Sequence, residues 1–392
     1  MTRANQSCPV CSGTSLRTIL EISGIPVFCN IQYDSEAQAI EQPVGDMTLT
    51  VCVDCHHLFN SSFDESLLQY GQTYENSLHF SATFNSFARD VASRLIDQFD
   101  LRKKRIVDIG CGKGDFLSMI CELGANDGFG FDQSYEEGRA QEPARGSVRY
   151  FREYFGSDHK GIKPDLVACR HVLEHIPEPV SFLTELAAAL QDSQGCNVYF
   201  EVPNALFTIR DLGIWDLIYE HCQYFTENSL RTSFVRAGFS VDSVYESFGG
   251  QFLGLDGTAS PIELKAEVQR SDEQFAFDDL MDSFKSHFDQ LLDMWNSKLT
   301  SLDGNVAVWG GGSKGVTFLN LLESAKRVSC LVDINPHKHE KHIPITGHKI
   351  VAPESLQQFD PKHVLIMNPL YENEIAATLE SVGVDAKIHL VN

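Results

Sequence analysis

The chain has 392 residues, enough for two or three domains, and its 43% hydrophobic and 22% charged residues suit a protein that buries real cores. Against 31 Lys and Arg stand 54 Asp and Glu, a formal charge of −23, and a surface that acidic repels phosphate backbones, which disfavours a nucleic-acid or membrane partner. No apolar run approaches the ~18 residues that span a bilayer and the first residues hold no signal-peptide core, so a soluble, cytoplasmic protein is expected.

The 11 cysteines are odd in number and scattered, so reduced thiols are the default. Four differ from the rest. Cys8-Pro9-Val10-Cys11 and Cys52-Val53-Asp54-Cys55 are two C-x-x-C pairs, each able to fold as a knuckle presenting two thiolates. Together they complete the tetrahedral sulfur shell that Zn²⁺ prefers. Four thiolates leave no open position, so the ion expected in this segment (1–70) is structural. His56 and His57 follow directly and offer substitute ligands, and Cys29 reads as a core residue. A zinc ribbon that binds nucleic acid is the rival reading, but the segment lacks a basic cluster.

A second domain is expected over 71–260. Residues 84–100 carry Phe84, Phe87, Ala88, Val91, Leu95 and Ile96 at helical spacing. Arg105-Ile106-Val107-Asp108-Ile109 then reads as a buried strand, followed by Gly110-Cys111-Gly112-Lys113-Gly114-Asp115 and an apolar helix from Phe116. Strand, glycine turn and helix open a nucleotide-binding α/β unit, in which glycines admit the ligand and the helix start supplies amide N–H groups. Gly128 to Asp132 is the next strand, ending in an acid that can accept ribose hydroxyls. Lys113 reads as a solvent-facing residue at the helix start, and Asn126-Asp127-Gly128 as a turn.

The order D-x-G-x-G-x-G, with Asp108 before the first glycine, resembles the S-adenosylmethionine (SAM) loop of class I methyltransferases. NAD binding and a ligand-free structural loop remain alternatives. Pro164 to Cys169 and Arg170-His171-Val172-Leu173-Glu174-His175-Ile176 look like the fourth strand of such enzymes and the segment after it. Asn197 to Asn204 reads as a fifth strand whose polar end faces the ligand crevice. Ile214 to Thr226 follows, with Glu220-His221 among aromatics. Histidine titrates near neutrality, so His221 is either a general base or a satisfied core histidine.

The four-cysteine start, this glycine loop, Glu201-Val202-Pro203-Asn204 and Glu220-His221-x-x-Tyr224-Phe225 occur in one order. That order resembles the three-domain, zinc-binding sugar C-methyltransferases of deoxysugar biosynthesis. The resemblance implies a SAM site at Asp108, Gly110, Gly112, Gly114, Asp132 and Arg170. It also implies a small-molecule acceptor, a nucleotide-linked 4-keto sugar, whose α-proton is removed by His221, with Glu220 beside it and His175 near the sugar. Tyr74, Asn76, His79, Asn204, Tyr224 and Lys314 are the matching acceptor candidates. Tyr74, Asn76 and His79 read equally as loop residues. The sequence departs from the family in reading Ile218-Tyr219-Glu220-His221 where members carry Tyr-His-Glu-His, which leaves room for an O- or N-methyltransferase of another saccharide or natural-product intermediate.

Residues 262–300 carry Phe277, Leu280, Met281, Phe284, Phe288, Leu291, Leu292, Trp295 and Leu299 at helical spacing, an amphipathic bridge over 261–303 whose aromatics read as core. The last domain, 304–392, opens with the strand Val306-Ala307-Val308-Trp309, then Gly310-Gly311-Gly312-Ser313-Lys314-Gly315, a helix to Leu322, and a strand ending in Asp333. Alone this is an NAD fingerprint, which makes an NAD-dependent oxidoreductase the rival enzyme. The resemblance instead implies a Rossmann-like α/β domain that holds the acceptor, where Lys314 and the loop amides meet a phosphate; a purely structural role stays open. His337, His339, His342 and His348 read as solvated loop residues. The expected architecture is α/β: a zinc-binding segment, a class I (Rossmann-like) methyltransferase domain and a C-terminal Rossmann-like domain.

Overall fold

The computed structural model describes residues 7–68, 73–193, 195–259 and 273–391, without the side chains of 273–276. Alternating apolar residues form an antiparallel meander of β1 (Leu16–Pro26), β2 (Val44–Cys52) and β3 (Leu58–Asn60). The helix Ala82–Phe99 starts at Ser81, whose hydroxyl accepts from the Phe84 amide, and ends at left-handed Asp100.

The central sheet has seven strands: β4 (Arg105–Ile109), β5 (Asp127–Phe131), β6 (Ser147–Phe151), β7 (Leu166–Arg170), β8 (Asn197–Pro203), and, after the short β9 (Gln223–Tyr224), β10 (Ser240–Ser247) and β11 (Phe252–Thr258). Their spatial order is β6-β5-β4-β7-β8-β11-β10, all parallel except β11. This is the class I methyltransferase sheet, with its switch point between β4 and β7, where ligands of open α/β sheets bind. Its strands are apolar runs because both faces are covered by helices. The expected turn at Asn126-Asp127-Gly128 is corrected here: Asp127 and Gly128 already pair with Arg105 and Ile106 inside β5.

β9 does not join this sheet. It pairs with β3 and so completes the N-terminal sheet, tying the segment around Glu220-His221 to the first 60 residues. The helix Glu273–Ser301 covers that sheet with the apolar face read from the sequence: Phe277, Met281, Phe284, Phe288, Trp295 and Leu299 are buried. The rest of the expected bridge, 261–272, lies outside the described residues.

The C-terminal domain is a five-stranded parallel sheet in the order β14-β13-β12-β15-β16, built from β12 (Asn305–Trp309), β13 (Val328–Val332), β14 (Ile350–Val351), β15 (Pro361–Ile366) and β16 (Lys387–Leu390). The loop after β12 turns so tightly into the helix Ser313–Leu321 that a Cβ on Gly315 would lie 1.9 Å from the Gly310 carbonyl oxygen. One continuous core joins the N-terminal sheet, segment 205–224, the long helix and this sheet. Among the described residues no helix is long and apolar enough to cross a membrane.

Candidate active site

The carboxyl ends of both parallel sheets open on one cavity of about 280 Å³, near the lower end of small-molecule pockets. His171 follows β7, Pro203 ends β8, Gly310 and Gly312 follow β12, Asp333 follows β13, and Met367 and Asn368 follow β15. Of the expected site residues, Tyr74, Asn76, His175, His221 and Lys314 line this cavity. Glu220 is buried just behind it, its Oε2 accepting from the Cys29 amide at 2.8 Å.

Arg170, His79, Asn204 and Tyr224 are not on its wall either, and nor are Asp108, Gly110, Gly112, Gly114 and Asp132. His79 Nδ1 pairs with Asn85 Oδ1 at 2.8 Å. Asn204 caps the short helix after β8 and donates to Glu246 and the Gly250 carbonyl. The Tyr224 hydroxyl donates to the Ile218 carbonyl. The Arg170 guanidinium donates to Glu201 Oε1 at 2.7 and 3.0 Å and lies 4.3 Å from the Phe116 ring centre. These polar groups are satisfied by partners within the protein instead of projecting into the cavity.

The first glycine loop follows β4 at the carboxyl end of the seven-stranded sheet, outside the lining of this cavity. A Cβ on Gly110, at φ 68°, would come 2.1 Å from Val172, so only glycine fits. Asp132 accepts from the Gly112 amide at 2.8 Å and from Ser134, which braces the loop. Asp108 is buried beneath it, its carboxyl pushed up to about 7 by burial, against the pull of Arg170 and with the push of Asp132. Lys113 corrects the sequence reading: it is buried, with its ammonium on Glu136 at 2.9 Å and the Ser134 carbonyl at 3.2 Å. Arg139 joins Glu136 to Glu75, and Glu75 accepts from Asn335, so hydrogen-bonded side chains run from the first glycine loop to the C-terminal domain.

His175 and His221 sit together, with ring centres 4.9 Å apart. His175 Nδ1 is 2.9 Å from the Glu220 main-chain carbonyl and donates to it, while His221 Nδ1 makes no hydrogen bond. Burial pulls His221 down to about 3, with His175 adding to the effect and Glu174 opposing it. Sequence reasoning passed over His171, Glu174 and Glu201 next door. His171 is raised to about 9: burial would lower it, but the carboxylates of Glu174 and Glu201 close to its ring prevail.

At the second glycine loop, Lys314 is engaged by Gln251 Oε1 at 2.7 Å and Asp216 Oδ2 at 3.3 Å. The cation beside the loop is Lys338, buried, 3.5 Å from Asp333 and 3.5 Å from where a Cβ on Gly312 would stand. It hides in the sequence among histidines. Of those, only His337 is exposed; His339 and His348 meet main-chain carbonyls and His342 bridges to Tyr33, which corrects the solvated reading.

The four N-terminal cysteines converge as the pair spacing requires. Cys8 and Cys55 sulfurs are 3.6 Å apart, Cys11 and Cys52 3.4 Å, and all four lie within 4.8 Å of one another. Zinc–thiolate bonds of ~2.3 Å put tetrahedral sulfurs about 3.8 Å apart, so the set fits the ion. The Val10 and Gly13 amides donate to Cys8 and Cys11. His57 is elsewhere, bonded to Gln223 and Ser229.

Comparison with known proteins follows this geometry. Residues 84–244 match the family model described as a methyltransferase domain, and residues 259–388 the one described as a C-methyltransferase C-terminal domain. The ubiquinone biosynthesis O-methyltransferase of Aromatoleum aromaticum (strain DSM 19018 / LMG 30748 / EbN1) is 32% identical over 118 residues, 27% of this chain and 47% of that protein. Its namesake from Aeromonas salmonicida (strain A449) is 31% identical over 94 residues, 22% and 39% of the two chains. The chain thus spans less than half the length of these curated relatives. Among solved structures, magnesium protoporphyrin IX methyltransferase from Synechocystis PCC 6803 with bound SAH is 15% identical, covers 47% of this chain and 88% of its own, and has a TM-score of 0.35. The CurJ carbon methyltransferase is 14% identical, with coverages of 46% and 56% and the same TM-score. The match over 259–388 takes in the second glycine loop and gives the NAD-oxidoreductase alternative no support. The chain therefore carries a SAM-dependent methyltransferase domain of class I, Rossmann-like fold, followed by a C-methyltransferase C-terminal domain.

Proposed function

We propose that the chain moves the methyl group of SAM onto a carbon α to the ketone of a nucleotide-linked keto-deoxysugar. The observation that carries this reading is the single cavity, shared by the carboxyl ends of both sheets, that holds an imidazole pair and the second glycine loop. A neutral C–H is no nucleophile, so C-methylation needs a base, and His221 lines the cavity with a buried ring nitrogen that has no hydrogen bond. SAM supplies an electrophilic methyl; Gly110, Gly112, Gly114, Asp108 and Asp132 form its cradle, with Arg170 acting behind it through Glu201. Tyr74, Asn76 and His175 then face the sugar. Lys338 and the amides of Gly310 to Ser313 meet its diphosphate, with Lys314 shaping the wall through Asp216 and Gln251.

Holding the acceptor between the two sheets orients its α-carbon toward the methyl, and that orientation carries much of the rate. The thiolates of Cys8, Cys11, Cys52 and Cys55 hold a structural Zn²⁺ that staples the N-terminal sheet, and through β9 keeps the Glu220-His221 segment in place. The test is incubation with SAM and a panel of nucleotide-linked 4-keto-6-deoxy sugars, followed by mass spectrometry. One methyl gained on a sugar carbon supports the reading. Methyl gain on oxygen or nitrogen contradicts C-methylation and returns the acceptor to another saccharide or natural product.

A further inference from the structure

His221 poses a physical difficulty for the reading above. A base must gain charge as it takes the α-proton, yet its ring is half-buried and a second imidazole stands 4.9 Å away. Both circumstances penalise the imidazolium. Something must offset that cost.

Glu174 is the group in position. It lies in the short 3-10 turn Leu173–His175, directly after the β7 strand end, and is 2% exposed. Neither of its carboxylate oxygens has a hydrogen-bond partner, an unusual and costly state for a buried charge. Its carboxylate and the nearest ring nitrogens of His175 and His221 lie within 4.8 Å of one another, and His171 Nδ1 is 3.7 Å from Oε1. Three imidazoles therefore surround one buried, unbonded carboxylate at the edge of the cavity. His171 holds its ring there from a strained backbone, at a φ of 55°.

Resting on the proposed C-methylation, we infer that Glu174 is the positioning residue of the base: the counter-charge that lets His221 hold the abstracted proton. In the step itself, the acceptor's C–H bond breaks, the proton goes to His221, and the electron pair becomes the enolate. The enolate carbon then bonds the methyl carbon as the S–CH₃ bond breaks, its electrons leaving on sulfur as neutral S-adenosylhomocysteine. The proton on His221 afterwards passes to water. During the step the net charge of the His221–Glu174 pair goes from −1 to 0, so no isolated cation is created in a buried site. The other charged groups facing the pair are already committed: Arg170 to Glu201, Lys314 to Asp216, and Glu201 to both Arg170 and His171. Glu220 Oε2 accepts from the Cys29 amide and its side chain meets Tyr74. Glu174, whose other neighbour is the His171 ring nitrogen at 3.7 Å, is the carboxylate that stands next to His221 without a hydrogen bond.

The experiment follows α-deuterium wash-in to the acceptor, without SAM, as a function of pH. Wild type must exchange; if it does not, the C-methylation reading itself fails. Glu174→Gln should retain S-adenosylhomocysteine binding by calorimetry and exchange about 10²-fold more slowly. Its acid limb should move to lower pH, because removing a negative neighbour weakens the base. Glu174→Asp should recover part of the rate and return the limb only part of the way, because its shorter side chain holds the charge further from the ring. A merely structural role would lower activity and leave the limb where it was, and that result overturns the inference. So does a second metal ion that co-purifies with wild type at one per chain and is lost in Glu174→Gln, since the carboxylate would then be a ligand. If Glu174→Gln fails to fold, the ¹⁵N titration of His221 in wild type and in Glu174→Asp decides. Equal His221 titration in the two overturns the inference, and a lower value in the aspartate variant supports it.

Discussion

The rings of His175 and His221 stand 4.9 Å apart, edge to face at 72°, on the wall of one cavity. His175 Nδ1 is taken up by the Glu220 carbonyl, while His221 Nδ1 is left without a hydrogen bond, which assigns the waiting nitrogen to His221. His221→Asn should therefore keep S-adenosylhomocysteine affinity within about twofold and lose about 10²–10⁴-fold in methyl transfer. Calorimetry and a methyl-transfer assay check the two halves.

Cys52 ends β2 and has its sulfur 3.4 Å from that of Cys11. Cys52→Ser should lower bound zinc well below one per chain, as elemental analysis would report. The thermal midpoint should fall by ~10 °C, since the ion's binding energy is folding energy for this segment. Full stability with no zinc would mean that the thiols are ordinary core residues.

Asp108 couples the SAM cradle to pH. Its folded value is raised to about 7, chiefly by burial, against ~3.9 in an unfolded chain. Below pH ~4 the carboxyl is protonated in both states and costs nothing. Between ~4 and 7 only the unfolded chain ionises, so stability falls as pH rises. Asp108→Asn removes that slope and should gain on the order of 2–4 kcal/mol at pH 8, with no gain at pH 4. Thermal unfolding across that range measures it.

Lys338 is buried beside the second glycine loop, 3.5 Å from Asp333. Lys338→Met should raise the acceptor KM by about 10–100-fold, the value of one charge-assisted hydrogen bond, with kcat within about threefold. An unchanged KM would place the diphosphate elsewhere.

The fold was largely legible because its signals are local. Asp108-x-Gly110-x-Gly112-x-Gly114 after a β-branched run, and Gly310 to Gly315 after Val306 to Trp309, each announce strand, turn and helix, and the helices and strands begin within a few residues of their expected positions. The two C-x-x-C pairs spoke for themselves through spacing. Side-chain direction was not local. Asn204, Tyr224 and His79 have the right chemistry for a site, yet Asn204 caps a helix, Tyr224 bonds a main-chain carbonyl and His79 bonds the Asn85 side chain. Lys113 looked exposed at a helix start, and Glu136 from the loop after β5 buries it. Glu174 and His171 were in view within one segment, but nothing in their spacing reveals that a carboxylate is left without a hydrogen bond. Lys338 was masked by the histidines on either side, and its nearness to Gly312 depends on the return of a loop more than 20 residues later in the chain.

The central claim is that His221 makes a carbon acid of the acceptor. It is tested most directly by holding the protein with a nucleotide-linked 4-keto-6-deoxy sugar in deuterated water, without SAM, and reading the sugar's mass. The account predicts one deuterium at the α-carbon with wild type and none above background with His221→Asn. Undiminished exchange in the variant, or no exchange by wild type on a sugar that it methylates when SAM is added, would contradict it.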